Sequence, residues 1–89
     1  MTEIVIYGTQ TCPYCSRARR LFDRKGVKYI EVRVDLDTSR RREMEARTGR
    51  NSVPQIFIGD LHVGGFDDLS ALDQEGGLDA LLGLPAQTK

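Results

Sequence analysis

Ile4 to Tyr7 is an unbroken apolar run, and a strand covered on both faces shows such a run rather than an alternation. Glu3 to Tyr7 is therefore expected to be a central strand. From Pro13 to about Lys25, Cys15, Ala18, Leu21 and Phe22 return at helical spacing, Arg17, Arg20 and Arg24 fall off that face, and Gly26 is placed to end the helix. Lys28 to Val34 then alternates Ile30, Val32 and Val34 with Glu31 and Arg33, the period of an edge strand with one wet face. Strand, helix and strand in this order imply a right-handed parallel crossover.

In the second half, Asp37 or Thr38 can cap a helix through about Thr48. Its apolar face is thin (Met44 and Ala46), and Gly49 is available to end it. The stretch VPQIFIGDLHVGG reads as a hairpin with Gly59-Asp60 as a two-residue turn, its glycine first as type II′ prefers. Asp67 or Asp68 is expected to cap a helix carrying Leu69 and Leu72, and a short turn after Gly76-Gly77 holds Leu78, Leu81 and Leu82. The order is βαβ followed by αββα, an α/β fold with one four-stranded sheet of parallel and antiparallel members. Residues 1–84 are expected to form a single domain, and 85–89 a disordered tail.

Composition narrows the function classes. The chain has 89 residues, 39% hydrophobic and 29% charged, with a formal net charge of zero, as in an ordinary globular domain rather than a disordered or fibrous one. No apolar run approaches the roughly 18 residues of a membrane span, and the N-terminal MTEIVIYG lacks the basic-then-apolar pattern of a secretory signal. A cytoplasmic protein is the expectation. There a lone pair of cysteines is reactive or metal-bound rather than a permanent staple.

The pair lies in TCPYC, residues 11 to 15, where the first strand gives way to the first helix. Unpaired N–H groups and the positive end of a helix dipole favour an anion there, so Cys12 is the expected nucleophile. Pro13 suits the first helical position, where its missing N–H costs nothing. Cys15, one turn on and against the apolar face, is the expected resolving thiol. A zinc site would need four ligands, and the chain offers only His62 besides carboxylates. His62 itself alternates with Leu61 and Val63, as a half-exposed strand residue does. Arginines at 40, 41, 42, 47 and 50 are interleaved with Glu43 and Glu45 in a chain of no net charge, which fits a solvated helix face better than a nucleic-acid surface, with steering of anionic substrates as the alternative role. Pro54 either opens a strand or, as a cis proline, turns the Val53 backbone outward for an added strand.

TCPYC at the start of the first helix, SVP before a strand and GGFDD after the hairpin, in that order and spacing, resemble the glutaredoxins, in particular the small bacterial dithiol type. The resemblance covers nearly the whole chain and implies the thioredoxin fold. It assigns Cys12 as nucleophile and Cys15 as resolving thiol. It also implies a glutathione groove: Thr11 and Tyr14 beside the thiols, Ser52, Val53 and a cis Pro54 opposite them, and Gly65, Phe66 and Asp67 at the γ-glutamyl end. The Val53 backbone would pair with the cysteinyl part of glutathione, and Asp67 with its ammonium. Two positions depart from the family pattern: Thr9 stands where a lysine is usual, three residues before the first cysteine, and Ser52 replaces a threonine but keeps the hydroxyl.

The implied activity is glutathione-dependent reduction of glutathionylated proteins, small mixed disulfides and protein disulfides. Glutathione is then a co-substrate, replenished through glutathione reductase, and neither a metal nor a tightly bound cofactor is called for. A monomer acting on neither nucleic acid nor membrane is expected. Two other classes share the motifs: a redoxin fed by a thioredoxin reductase, against which CPYC and GGFDD argue, and a dimer holding an iron–sulfur cluster, against which Pro13 argues.

Overall fold

The central strand β1, Ile4–Gly8, pairs in parallel with β2, Ile30–Arg33, and antiparallel with β3, Gln55–Ile58. The sheet order is β2-β1-β3-β4, with β4 (Leu61–Gly64) antiparallel to β3 at the other edge. The structure is a computed structural model that describes residues 3–83; the tail expected at 85–89 lies outside the described residues.

The unbroken apolar run of β1 follows from its place in the sheet. Ile4 and Ile6 join Ile56 and Ile58 on one face, where they meet Ala18, Leu21, Phe22, Leu69 and Leu78. Tyr7 and Phe57 point to the other face and pack with Val34 and Met44. Three helices supply the first face: α1 (Pro13–Lys25), α3 (Phe66–Gln74) and α4 (Gly77–Leu82). A single helix, α2 (Thr38–Thr48), supplies the second. Large apolar side chains buried in this way contribute about 1.5–3 kcal/mol each relative to exposure.

Helix α1 has the expected bounds: Pro13 occupies the first turn, and Gly26 ends it in the left-handed conformation at φ 72°. The hairpin also forms as expected. Ile58 faces Leu61 across Gly59-Asp60, and Gly59 has φ 60° while among the described residues none other than glycine has positive φ, which selects type II′ over type I′.

Four expectations are corrected. Strand β2 is shorter than 28–34, and Ile30 at its open end is 50% exposed, because an edge strand has no further element to cover its first residue. Helix α2 buries Met44 but leaves Ala46 exposed, since two residues span about 200° around a helix. Neither Asp67 nor Asp68 caps α3. Gly65 is its N-cap, and Asp68, three residues on, accepts a hydrogen bond from Gly65 N–H at 3.1 Å. A glycine has no side chain to return that bond, so only half of a capping box is present. The arginines of α2 are not a uniform solvated face: Arg47 lies 3.8 Å from the Phe57 ring centroid and donates to Tyr7 Oη at 2.7 Å.

Candidate functional site

Cys12 is the N-cap of α1, with extended φ −82° and ψ 117°. In that position its Sγ takes the place of a capping oxygen and accepts from Cys15 N–H at 3.4 Å. On its other side the sulfur lies 3.7 Å from Val53 O. Cys12 is half-buried, whereas Cys15 is fully buried. Burial above all, and the neighbouring Cys12 in addition, push the Cys15 thiol up to about 12, against a lowering contribution from the Thr9 backbone. Burial of Cys15 behind a half-buried Cys12 at the helix N-cap thus makes two unlike thiols one turn apart. Gly8 completes the site from β1, since a β-carbon there would sit 2.9 Å from Cys15 Sγ.

A groove of about 230 Å³ adjoins Cys12, walled by Tyr14 on α1, by Ser52, Val53 and Pro54 before β3, and by Gly65, Phe66 and Asp67 at the start of α3. Three segments distant in sequence meet here. The Val53-Pro54 peptide is cis. The Tyr14 and Phe66 rings stack at 6.3 Å between centroids. The first-turn N–H groups of α3 have no partner within the helix, and two acidic residues, Asp67 and Asp68, stand in that turn. Thr11 is exposed next to Cys12 and is not among the groove residues. Neither thiol is among the lining residues, and Cys12 meets the groove at Val53 O; a larger depression of about 510 Å³ adjoins at Arg50 and Ser52.

Three further residues line the groove that the motifs did not single out for it. Arg50 lies 3.7 Å from Asp68 on the opposite rim; both side chains are more than half exposed, so the pair itself contributes little to stability. Asp68 had a visible signal, being the third residue of a helix start. Gln55 is buried, and its amide donates to Ser52 O at 3.0 Å and Ser52 Oγ at 3.2 Å. Its carbonyl oxygen is 2.7 Å from His62 Nε2. His62 is the expected half-buried strand residue. Its ring stacks on Phe57 at 4.9 Å, and burial first, then the charges of Arg50 and Arg47, hold it below its usual range, against the opposing Asp68.

Among the described residues no group of three or more His, Cys, Asp or Glu side chains is placed to hold a metal ion, and no helix is long and apolar enough to cross a membrane.

A family model described as glutaredoxin matches residues 4–63, from β1 into β4. Glutaredoxin 3 of Escherichia coli strain K12 is 52% identical over 82 residues, spanning 92% of this chain and 99% of its own. The solution structure of glutaredoxin from Brucella melitensis has a TM-score of 0.81 at 51% identity, covering 92% of this chain and 89% of that one. A crystal structure of a buckwheat glutaredoxin–glutathione complex has a TM-score of 0.85 at 30% identity, covering 92% and 77% respectively. The thioredoxin fold and a thiol–disulfide oxidoreductase role follow, and this chain belongs to the glutaredoxin family.

Proposed function

We propose that this glutaredoxin is glutathione-dependent, with Cys12 as nucleophile and Cys15 as resolving thiol. The observation that carries the reading is the position of Cys12 Sγ, between Cys15 N–H and Val53 O at the side of the groove. The peptide backbone of glutathione would run along Val53, its α-carboxylate would meet the free N–H groups at the start of α3, and Asp67 would take its ammonium. Tyr14 and Phe66 would close the groove, with Thr11 and Ser52 flanking the thiol. Arg50 supplies a cation for the second carboxylate of glutathione, on the wall of a site that has Thr9 in place of the family lysine.

With a glutathionylated protein, the Cys12 thiolate attacks the glutathione sulfur. A Cys12–glutathione bond forms, the original S–S bond breaks, and the protein sulfur leaves as a thiolate that takes a proton. A second glutathione, as thiolate, attacks the bound glutathione sulfur and expels Cys12. One S–S bond is consumed and one is formed, as glutathione disulfide. With a protein disulfide, Cys12 first forms a mixed disulfide with one protein sulfur and releases the other. Cys15 gives up its proton and attacks Cys12 Sγ, releasing the second protein thiol and leaving a Cys12–Cys15 disulfide. Two glutathiones reduce that bond and become one glutathione disulfide, which glutathione reductase returns to the thiol form. The exchange uses only sulfur chemistry, so the cycle requires neither metal nor resident cofactor, and the single domain acts as a monomer.

The test is a coupled assay with a small mixed disulfide, supplying electrons either from glutathione and glutathione reductase or from a thioredoxin reductase alone. Turnover with the first and not the second is expected. The reverse result would overturn the glutathione dependence and leave the thiol chemistry standing.

A further inference from the structure

We propose that the outer face of α1 is a docking groove for an acidic segment of the protein half of the disulfide substrate, an inference that rests on the function proposed above. Arg17, Arg20 and Arg24 line a depression of about 390 Å³ together with Phe66. Their spacing of three and four residues puts all three guanidinium groups along one stripe of the helix, and all three residues are exposed.

Among the described residues the cations of this stripe have no carboxylate partner, unlike the other two cations of α1. Arg19 is paired with Glu31 at 3.2 Å, and Lys25 with Asp73 and Asp79 at 2.7 and 2.8 Å. Arg17, Arg20 and Arg24 form no ion pair among the described residues. Three cations with no ion-pair partner among the described residues thus lie on one side of a chain of zero net charge, where they attract a carboxylate-rich partner.

The groove is also continuous with the thiol site. Phe66 borders both it and the groove beside Cys12, and Arg17 lies 5.2 Å from the centroid of the Tyr14 ring that stacks on Phe66. A protein whose sulfur is at Cys12 can therefore cross the Tyr14–Phe66 pair and lay its neighbouring residues on the arginines. Glutathione, filling only the first groove, would not reach them. The stripe would discriminate among protein substrates without affecting small disulfides.

The test uses two glutathionylated peptides that differ only in carrying three Glu or three Gln beside the cysteine, together with a small mixed disulfide. The acidic peptide is expected to have kcat/KM roughly fivefold above the neutral one at low salt, as exposed charge pairs provide, and the advantage should shrink at about 0.5 M salt. Arg20→Gln with Arg24→Gln should remove most of this advantage and leave the neutral peptide and the small disulfide unchanged; the corresponding lysine pair should retain it. Equal kcat/KM for the two peptides in the unaltered protein, or an advantage that survives the glutamine pair, would overturn the proposal. Inhibition of both peptides by a short oligonucleotide without any acidic preference would assign the groove to nucleic acid and overturn it too. If none of the three substrates turns over, the glutathione reading fails and the docking proposal with it, a result distinct from a lost acidic preference.

Discussion

The backbone N–H of Cys15 donates to Cys12 Sγ at 3.4 Å, while the Cys15 side chain is fully buried behind it. One residue thus presents a hydrogen-bond donor to its partner thiol and keeps its own thiol away from water. The helix start makes the sulfur of Cys12 the accessible one, and the apolar packing of α1 on the sheet keeps that of Cys15 protonated.

The protonation of Cys15 predicts a pH dependence of stability. Its thiol is pushed up to about 12 by burial, while an unfolded cysteine titrates at about 8.5. Between these values the unfolded chain has lost the proton that the folded chain keeps, so folding becomes less favourable as pH rises. Reduced protein should lose stability from about pH 9 upward, on the order of a few kcal/mol by pH 12. Cys15→Ser should flatten that part of the difference between the two proteins. Parallel denaturation curves from pH 8 to pH 11 would show that Cys15 is not held neutral by its surroundings.

Gly8 gives a packing test of the same pair. Because a β-carbon at this position would meet Cys15 Sγ at 2.9 Å, Gly8→Ala should destabilise the reduced protein by about 1–3 kcal/mol, as overpacking does. In a Cys15→Ala background the cost should fall by at least about half, since the crowding atom is gone. Additive costs in chemical denaturation would place the strain elsewhere.

Much of this arrangement is legible in the sequence, because local signals there agree with the packing. Pro13 and Gly26 bound α1, the run from Ile4 to Tyr7 marks a strand with two covered faces, and Gly59 marks the hairpin. The signals fail where a contact crosses the fold. An arginine on a charged helix gives no indication that it will stack on Phe57, as Arg47 does. Nor does Gln55, a lone polar residue opening an apolar strand, announce that its two ends will bridge His62 and Ser52. Residue types alone point to a later start for α3, because Asp67 and Asp68 are better caps by type than Gly65, whereas the helix begins at Phe66.

The His62–Gln55–Ser52 chain makes His62 a positioning residue for the groove. With His62 held below its usual range by burial and by Arg50 and Arg47, the neutral ring donates Nε2–H to Gln55 Oε1 at 2.7 Å. That bond directs the Gln55 amide toward Ser52. His62→Leu should raise KM for a glutathione mixed disulfide about three- to tenfold with little change in kcat, as loss of one buried bond of about 1 kcal/mol implies. His62→Gln, which restores a donor, should recover most of the loss. Equal effects on KM and kcat, or no recovery with glutamine, would reduce His62 to a packing residue.

The most direct test of the two-thiol account is to measure Cys12→Ser and Cys15→Ser on two substrates, a glutathione mixed disulfide and a protein disulfide. Cys12→Ser is expected to be inactive on both. Cys15→Ser should retain turnover of the mixed disulfide, where a second glutathione releases Cys12, and should lose reduction of the protein disulfide, where Cys15 must do so. Loss of mixed-disulfide turnover in Cys15→Ser to the level of Cys12→Ser, in a variant that remains folded, would contradict the assignment of the half-buried sulfur as nucleophile and the fully buried one as resolver.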